Sequence, residues 1–135
     1  MDTKKASKAR REAGKALAAM QEVVEQLRQY RRPLTSGRLQ EVRKTCGSPG
    51  CKCARGEKHT SQYLYVSRGG PLRRLFVPKA EVAGVRERSE RYGDFRGARA
   101  ALGHAYQRLL SEVDALEAAL IEPYQKVGDR QRGGE

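Results

Sequence analysis

Three cysteines and a histidine fall in the run Cys46-Gly-Ser-Pro-Gly-Cys51-Lys-Cys53-Ala-Arg-Gly-Glu-Lys-His59, a C-x4-C-x-C-x5-H spacing that holds every cysteine of the chain. Thiolates and an imidazole on a loop broken by Gly47, Pro49, Gly50 and Gly56 form the donor set of a tetrahedral zinc site. Four donors leave no position open for a reacting water, so such a metal is structural. A disulfide, a redox pair and inert thiols are the competing readings. A disulfide leaves one of the three cysteines over. A redox pair is usually C-x-x-C, whereas Cys51 and Cys53 are C-x-C. Met1 is followed by Asp2, Lys4 and Lys5, without the apolar stretch of a secretory leader. A reducing, cytoplasmic setting is therefore expected, and clustered cysteines there point to metal. His59 is the expected fourth ligand. His104, inside a helical pattern, is the alternative and reads first as a helix-surface residue.

The surrounding composition limits what can hold such a site. The 135 residues include no Trp, and 6% are aromatic against 33% charged. That is too little apolar material for a large core, and bound metal can nucleate a small fold that lacks one. No apolar run approaches the roughly 18 residues of a membrane span. The net charge of +12 is unevenly placed: nine Lys/Arg against four Asp/Glu over residues 1–34, nine against two over 35–78, and ten against ten over 79–135. Basic charge focused on the first two segments points to a polyanion, with nucleic acid ahead of an anionic membrane surface. Charge kept only for solubility does not explain that polarity along the chain.

The elements that must position these groups follow from spacing. Residues 3–31 read as a helix, with Ala13, Leu17, Met20, Val24 and Leu27 in 4-3-4-3 spacing and Val23 and Tyr30 widening the stripe. Pro33 ends it. The first dozen residues show no apolar stripe and read as a basic arm that frays in the absence of a ligand. Residues 38–45 suit a short strand entering the cysteine loop. Residues 62–68 and 72–77 read as a hairpin about Gly69-Gly70-Pro71. Alternation puts Leu64 and Val66 on one face and Tyr63 and Tyr65 on the other, with Leu75 and Val77 buried and Arg74 and Phe76 beside the tyrosines.

Pro78 opens a helical stretch over 79–122, closed by Pro123. Tyr92, Phe95, Leu102, Tyr106, Leu109, Val113, Leu116 and Leu120 keep a heptad register, with Arg99 at one a position. Gly93-Asp94 is the one candidate break. A first helix of roughly 44 Å and a last of roughly 65 Å, at 1.5 Å per residue, leave the seam from Leu109 to Leu120 without a partner. Either the helix bends back at Gly93 or a second chain covers the seam, and a homodimer through the C-terminal helix is the favoured solution. The expected fold is α+β, with a small zinc-nucleated β-hairpin module between two long helices that form an antiparallel coiled-coil stalk. The expected segments are a basic helix (1–34), the zinc-binding β module (35–78), the long helix (79–123) and a disordered tail (124–135).

The middle of the chain resembles a family of small bacterial proteins often found near mobile elements. The family pattern is C-G-x-P-x-C-x-C, then A-x-G-x-x-H, then an aromatic strand ending at a V-P-K helix start. Here it is carried by Cys46, Gly47, Pro49, Cys51, Cys53, Ala54, Gly56, His59, Tyr63, Tyr65, Val77, Pro78 and Lys79. The similarity covers roughly residues 38–95. The family commonly follows the histidine with Gly-Pro-Tyr, whereas this chain has Thr60-Ser61-Gln62-Tyr63. The resemblance implies a zinc-binding module linked to DNA transactions and supplies no activity.

The leading reading is a zinc-containing nucleic-acid-binding accessory protein, with DNA favoured over RNA. Arg43, Lys44, Lys52, Arg55, Lys58, Arg68, Arg73 and Arg74 would meet phosphates, Tyr63 and Tyr65 would offer stacking faces, and Lys4, Lys5, Lys8, Arg10 and Arg11 would reach a neighbouring stretch of backbone. A second reading is an adaptor, or an inhibitor of a nucleic-acid enzyme, whose coiled coil engages a recombinase or nuclease. An enzyme is the least expected: the cluster is filled, and Glu41 and Glu57 are the only carboxylates in the middle segment.

Overall fold

Asp2 starts the first helix. Its carboxylate accepts from the Lys5 backbone N–H at 3.0 Å and its carbonyl from Ala6 at 3.0 Å, an N-cap that satisfies donors the first turn leaves open. The computed structural model of the protein describes residues 1–45, 47–56 and 59–125. The element order is α1 (Thr3–Arg28), β1 (Arg38–Lys44), a short 3-10 helix (Lys52–Ala54), β2 (His59–Val66), β3 (Arg73–Val77), a second 3-10 helix (Lys79–Glu81) and α2 (Val82–Leu120). The fold is α+β, with two helices and a three-stranded antiparallel sheet in the order β1-β2-β3. Among the described residues, no helix is long and apolar enough to cross a membrane.

The chain divides into two compact units, one of Met1–Arg28 with the segment from Arg99 onward, the other of Gln29–Ala98. In the first, α1 and the distal half of α2 run antiparallel. The Asp2 N–H donates to the Ala119 carbonyl at 2.8 Å, Arg108 meets Glu12 at 2.6 Å, and the terminal ammonium meets Glu122 at 3.3 Å. The seam is built from small residues. Ala6, Ala9 and Ala16 of α1 and Ala119 of α2 are buried. Ala13, Met20, Val23 and Leu27 continue the α1 side, and Leu102, Ala105, Leu109 and Leu116 the α2 side, all half-buried at 3-4 spacing.

The first dozen residues are helical from Thr3, within the expected helix, and Ala6 and Ala9 are packed despite their small apolar surface. The seam from Leu109 to Leu120 has a partner within the chain, since α1 reaches Ala119 and the first part of α2 belongs to the sheet unit. The inward register is also offset: Leu102, Leu109 and Leu116 face in as expected, but Ala105 and Ala119 take the places assigned to Tyr106 and Leu120, which are exposed, as are Val113, Leu17 and Val24. Alanines let helix backbones approach closely, and the larger side chains are left on the flanks. α2 is continuous through Gly93.

In the sheet unit, one face of the sheet packs on the start of α2. Leu64, Val66, Val77 and Val85 form the core, with Leu39 and Val82 against it. A polar latch secures the same helix to the segment before β1. Thr35 N–H donates to the Arg88 carbonyl (3.2 Å), Arg88 Nε to Thr35 Oγ1 (3.0 Å), Ser89 Oγ to the Gly37 carbonyl (2.6 Å) and Arg91 to the Pro33 carbonyl (2.7 Å). Gly37, at φ +127°, makes the turn into β1; a Cβ there would stand 2.8 Å from the Tyr65 carbonyl oxygen. Tyr30 and Phe95 pack edge to face at 5.1 Å between centroids. Residues 126–135, most of the expected tail, lie outside the described residues.

Candidate functional site

The pairing of β1 with β2 builds the candidate metal site. The two strands run antiparallel from Arg38 opposite Tyr65 to Lys44 opposite His59, so His59 is returned to the mouth of the loop that carries the cysteines. Inside that loop the Cys51 N–H donates to the Ser48 carbonyl at 3.1 Å, closing a turn through Pro49 and Gly50. The chain then tightens into the 3-10 helix, with Ala54 N–H on the Cys51 carbonyl and Gly56 N–H on the Lys52 carbonyl. The tightened backbone brings Cys51 and Cys53 together although one residue separates them.

Cys51 Sγ lies 3.1 Å from His59 Nε2, and the three donor atoms of Cys51, Cys53 and His59 lie within 4.8 Å of one another. Cys53 is 2% exposed. Metal–sulfur and metal–nitrogen bonds of about 2.3 and 2.0 Å place tetrahedral ligands roughly 3.5–3.8 Å apart, so these donors are close enough to hold one ion. Two thiolates and an imidazole suit a borderline-soft metal. The remaining expected ligand, Cys46, lies outside the described residues, as does Lys58. His104 is exposed on α2, in the helical unit, and is not among the clustered donors.

The solvent face of the sheet begins at the same site. Directly opposed residues of antiparallel strands share a face. This face therefore carries Arg38, Gln40, Val42 and Lys44 from β1, His59, Ser61, Tyr63 and Tyr65 from β2, and Arg74 and Phe76 from β3. Tyr63 is its centre. Arg74 Cζ lies 4.5 Å and Lys44 Nζ 5.1 Å from the ring centroid, one from each neighbouring strand. Phe76 meets the same ring edge to face at 5.7 Å and is itself 60% exposed. Cations thus occupy Tyr63, and Phe76 offers the open aromatic surface.

The expected contact residues fall into separate groups. Lys44, Tyr63, Tyr65 and Arg74 share the aromatic face. Arg43 and Arg73, opposite Thr60 and Val66, belong to the other face of the sheet. Lys52 and Arg55 are exposed on the metal loop, and Arg68 is exposed in the β2–β3 connection. Lys4, Lys5, Lys8, Arg10 and Arg11 are exposed on α1, in the helical unit. Arg38 and Phe76 join the aromatic face although neither was among the expected contacts. Both follow from strand parity, Arg38 as the start of the 38-40-42-44 set and Phe76 as the partner of Tyr63.

A family model described as Domain of unknown function (DUF6788) matches residues 5–87, more than half of the chain, and the chain belongs to that family. No curated protein and no solved structure matches it.

Proposed function

We propose that this protein is a zinc-containing nucleic-acid-binding accessory protein, non-catalytic, acting on DNA in a mobile-element or recombination complex. One observation carries the proposal: an exposed aromatic, Phe76, sits against a tyrosine ringed by Arg74 and Lys44 on the open face of a basic sheet. Bases stack on such a surface while cations neutralise the phosphates, and the combination reads a strand without reading its sequence. Zinc is the metal that the thiolate and imidazole donors fit, with Cys46 completing the set. Its work is to hold the β1–β2 loop at the end of that face. DNA is favoured over RNA on the family resemblance in the cysteine–histidine run.

Titration of the zinc-loaded chain against labelled single- and double-stranded DNA and RNA at several salt concentrations tests the reading. Submicromolar binding with a steep salt slope is expected. Phe76→Ala should weaken it by about 1–3 kcal/mol, the worth of one stacked base. Absence of binding at low salt would sink the proposal.

A second reading is supported by the outward side chains of the helical unit. Tyr106, Leu110, Val113 and Leu120 on α2, with Leu17 and Val24 on α1, are large, apolar and exposed. In that reading the unit pairs with a second copy of the chain, or with a recombinase or nuclease. Sedimentation of Val113→Glu beside the parent chain distinguishes the two: a shared monomer mass would remove the homodimer.

A further inference from the structure

The start of β1 and one side of α2 enclose a groove of about 420 Å³, lined by Arg38 at one edge and by Arg86, Glu90, Gly93 and Arg96 along the helix. The arginines of α2 in this unit divide into two sets. Arg88 and Arg91 are engaged by the latch, and Arg91 also meets Glu87 at 2.6 Å. The side chains of Arg86 and Arg96 make no hydrogen bond or ion pair with any described residue, and neither does that of Arg38. Glu90 follows Arg86 by four residues, the spacing at which opposite helix charges meet, yet no ion pair within 4.0 Å joins them.

Three arginines and one glutamate therefore line one concavity without pairing among themselves. Each guanidinium presents paired N–H donors matched to phosphate oxygens. The volume lies within the roughly 300–1,000 Å³ range of ligand sites and exceeds what one inorganic phosphate fills. Gly93 lines the groove without a side chain. A Cβ there would meet nothing within 4 Å, so packing among the described residues does not demand glycine at a helix-interior position where it costs about 0.5–1 kcal/mol against alanine. Arg38 ties the groove to the aromatic face, because it lines the groove and also stands opposite Tyr65 in the sheet.

We propose that the groove binds the phosphodiester backbone of the strand whose bases lie against Phe76 and the tyrosines, so that the strand turns over the β1 edge at Arg38 and continues past Arg86 and Arg96. The inference rests on the nucleic-acid reading above and adds a second contact region to it. Glu90 opposes the phosphates and limits the affinity.

The test uses the full zinc-loaded chain and two single-stranded DNA probes of about 4 and about 16 nucleotides, the range of strand-binding site sizes. Arg86 and Arg96 are exposed, so their joint replacement by alanine spares the core. The double variant should bind the longer probe about tenfold more weakly, with a salt slope lower by about 1.4 for two lost single-strand contacts, and bind the shorter probe as the parent does. Glu90→Gln should bind the longer probe more tightly. Unchanged affinity and slope for the longer probe in the double variant, while Phe76→Ala loses binding, would overturn the groove and leave the sheet face standing. A parent chain that binds neither probe would overturn both. Arginine Nε resonances that shift with inorganic phosphate alone would then mark a small-anion site.

Discussion

The two units solve the same stability problem by different means. The helical unit uses local order: a capped α1, intrahelical hydrogen bonds and a continuous seam of alanines and leucines set against α2. The sheet unit has four buried aliphatic side chains, Leu64, Val66, Val77 and Val85, which is a small core for the segment Gln29–Ala98. It adds a cluster of Cys51, Cys53 and His59 able to hold a metal ion at one end of the β1–β2 pair and a hydrogen-bonded latch at the other. Regular packing leaves little exposed functionality on a helix pair beyond its flanks. A sheet supported at its ends leaves one whole face open, and that face carries the aromatic and cationic groups.

The sharpest way to break the comparison is to remove the metal. Cys51→Ser or chelation should unfold the sheet unit, because ligand binding and folding are one equilibrium in such modules, worth about 10–16 kcal/mol in zinc-finger peptides. Metal content and sheet amide resonances report it, and intact sheet resonances without metal would assign the stability elsewhere. The reciprocal change is Ala16→Leu, at a position with no exposure. Overpacking there should cost about 1–3 kcal/mol, read from urea unfolding of the α1 signals, whereas Leu17→Ala on the exposed flank should stay within about 0.5 kcal/mol. Equal effects would mean that the seam is not the support.

Ser89→Ala removes the latch bond to the Gly37 carbonyl and should cost about 0.5–1.5 kcal/mol, seen as faster hydrogen exchange at the start of β1. The smallest effect is electrostatic. Lys15 and then Arg108, by hydrogen bonding to Glu12, hold its carboxyl below the usual carboxylate range. A carboxyl with a depressed folded-state pKa stabilises above its unfolded pKa, and that contribution disappears as pH falls through the folded one. The helical unit should therefore lose stability on acidification through that window, and Glu12→Gln should flatten the dependence.

Much of the sheet unit could be read from sequence because its signals are local. Alternation alone separates Leu64 and Val66 from Tyr63 and Tyr65, and the cysteine–histidine spacing identifies a donor set of which Cys51, Cys53 and His59 are brought together. The helical seam was harder to read. Apolar size favours Leu17, Tyr106 and Leu120, but close helix approach selects Ala16, Ala105 and Ala119, whose hydropathy signal is weak. The groove has no linear signature at all: Arg38, Arg86 and Arg96 meet only because the segment before β1 is latched to α2.

A three-stranded sheet has two edges, and here both belong to strands that open or close on cations: Arg38, Arg43 and Lys44 on β1, Arg73 and Arg74 on β3. Edge-to-edge growth into a larger sheet would press these charges against their own kind. The same side chains that suit a polyanion thus also keep copies apart. Their solubility is consequently tied to the ionic surroundings: salt or a bound polyanion that masks the cations also lowers the barrier to edge-to-edge pairing, and the molecule is safest from aggregation when its charges are bare.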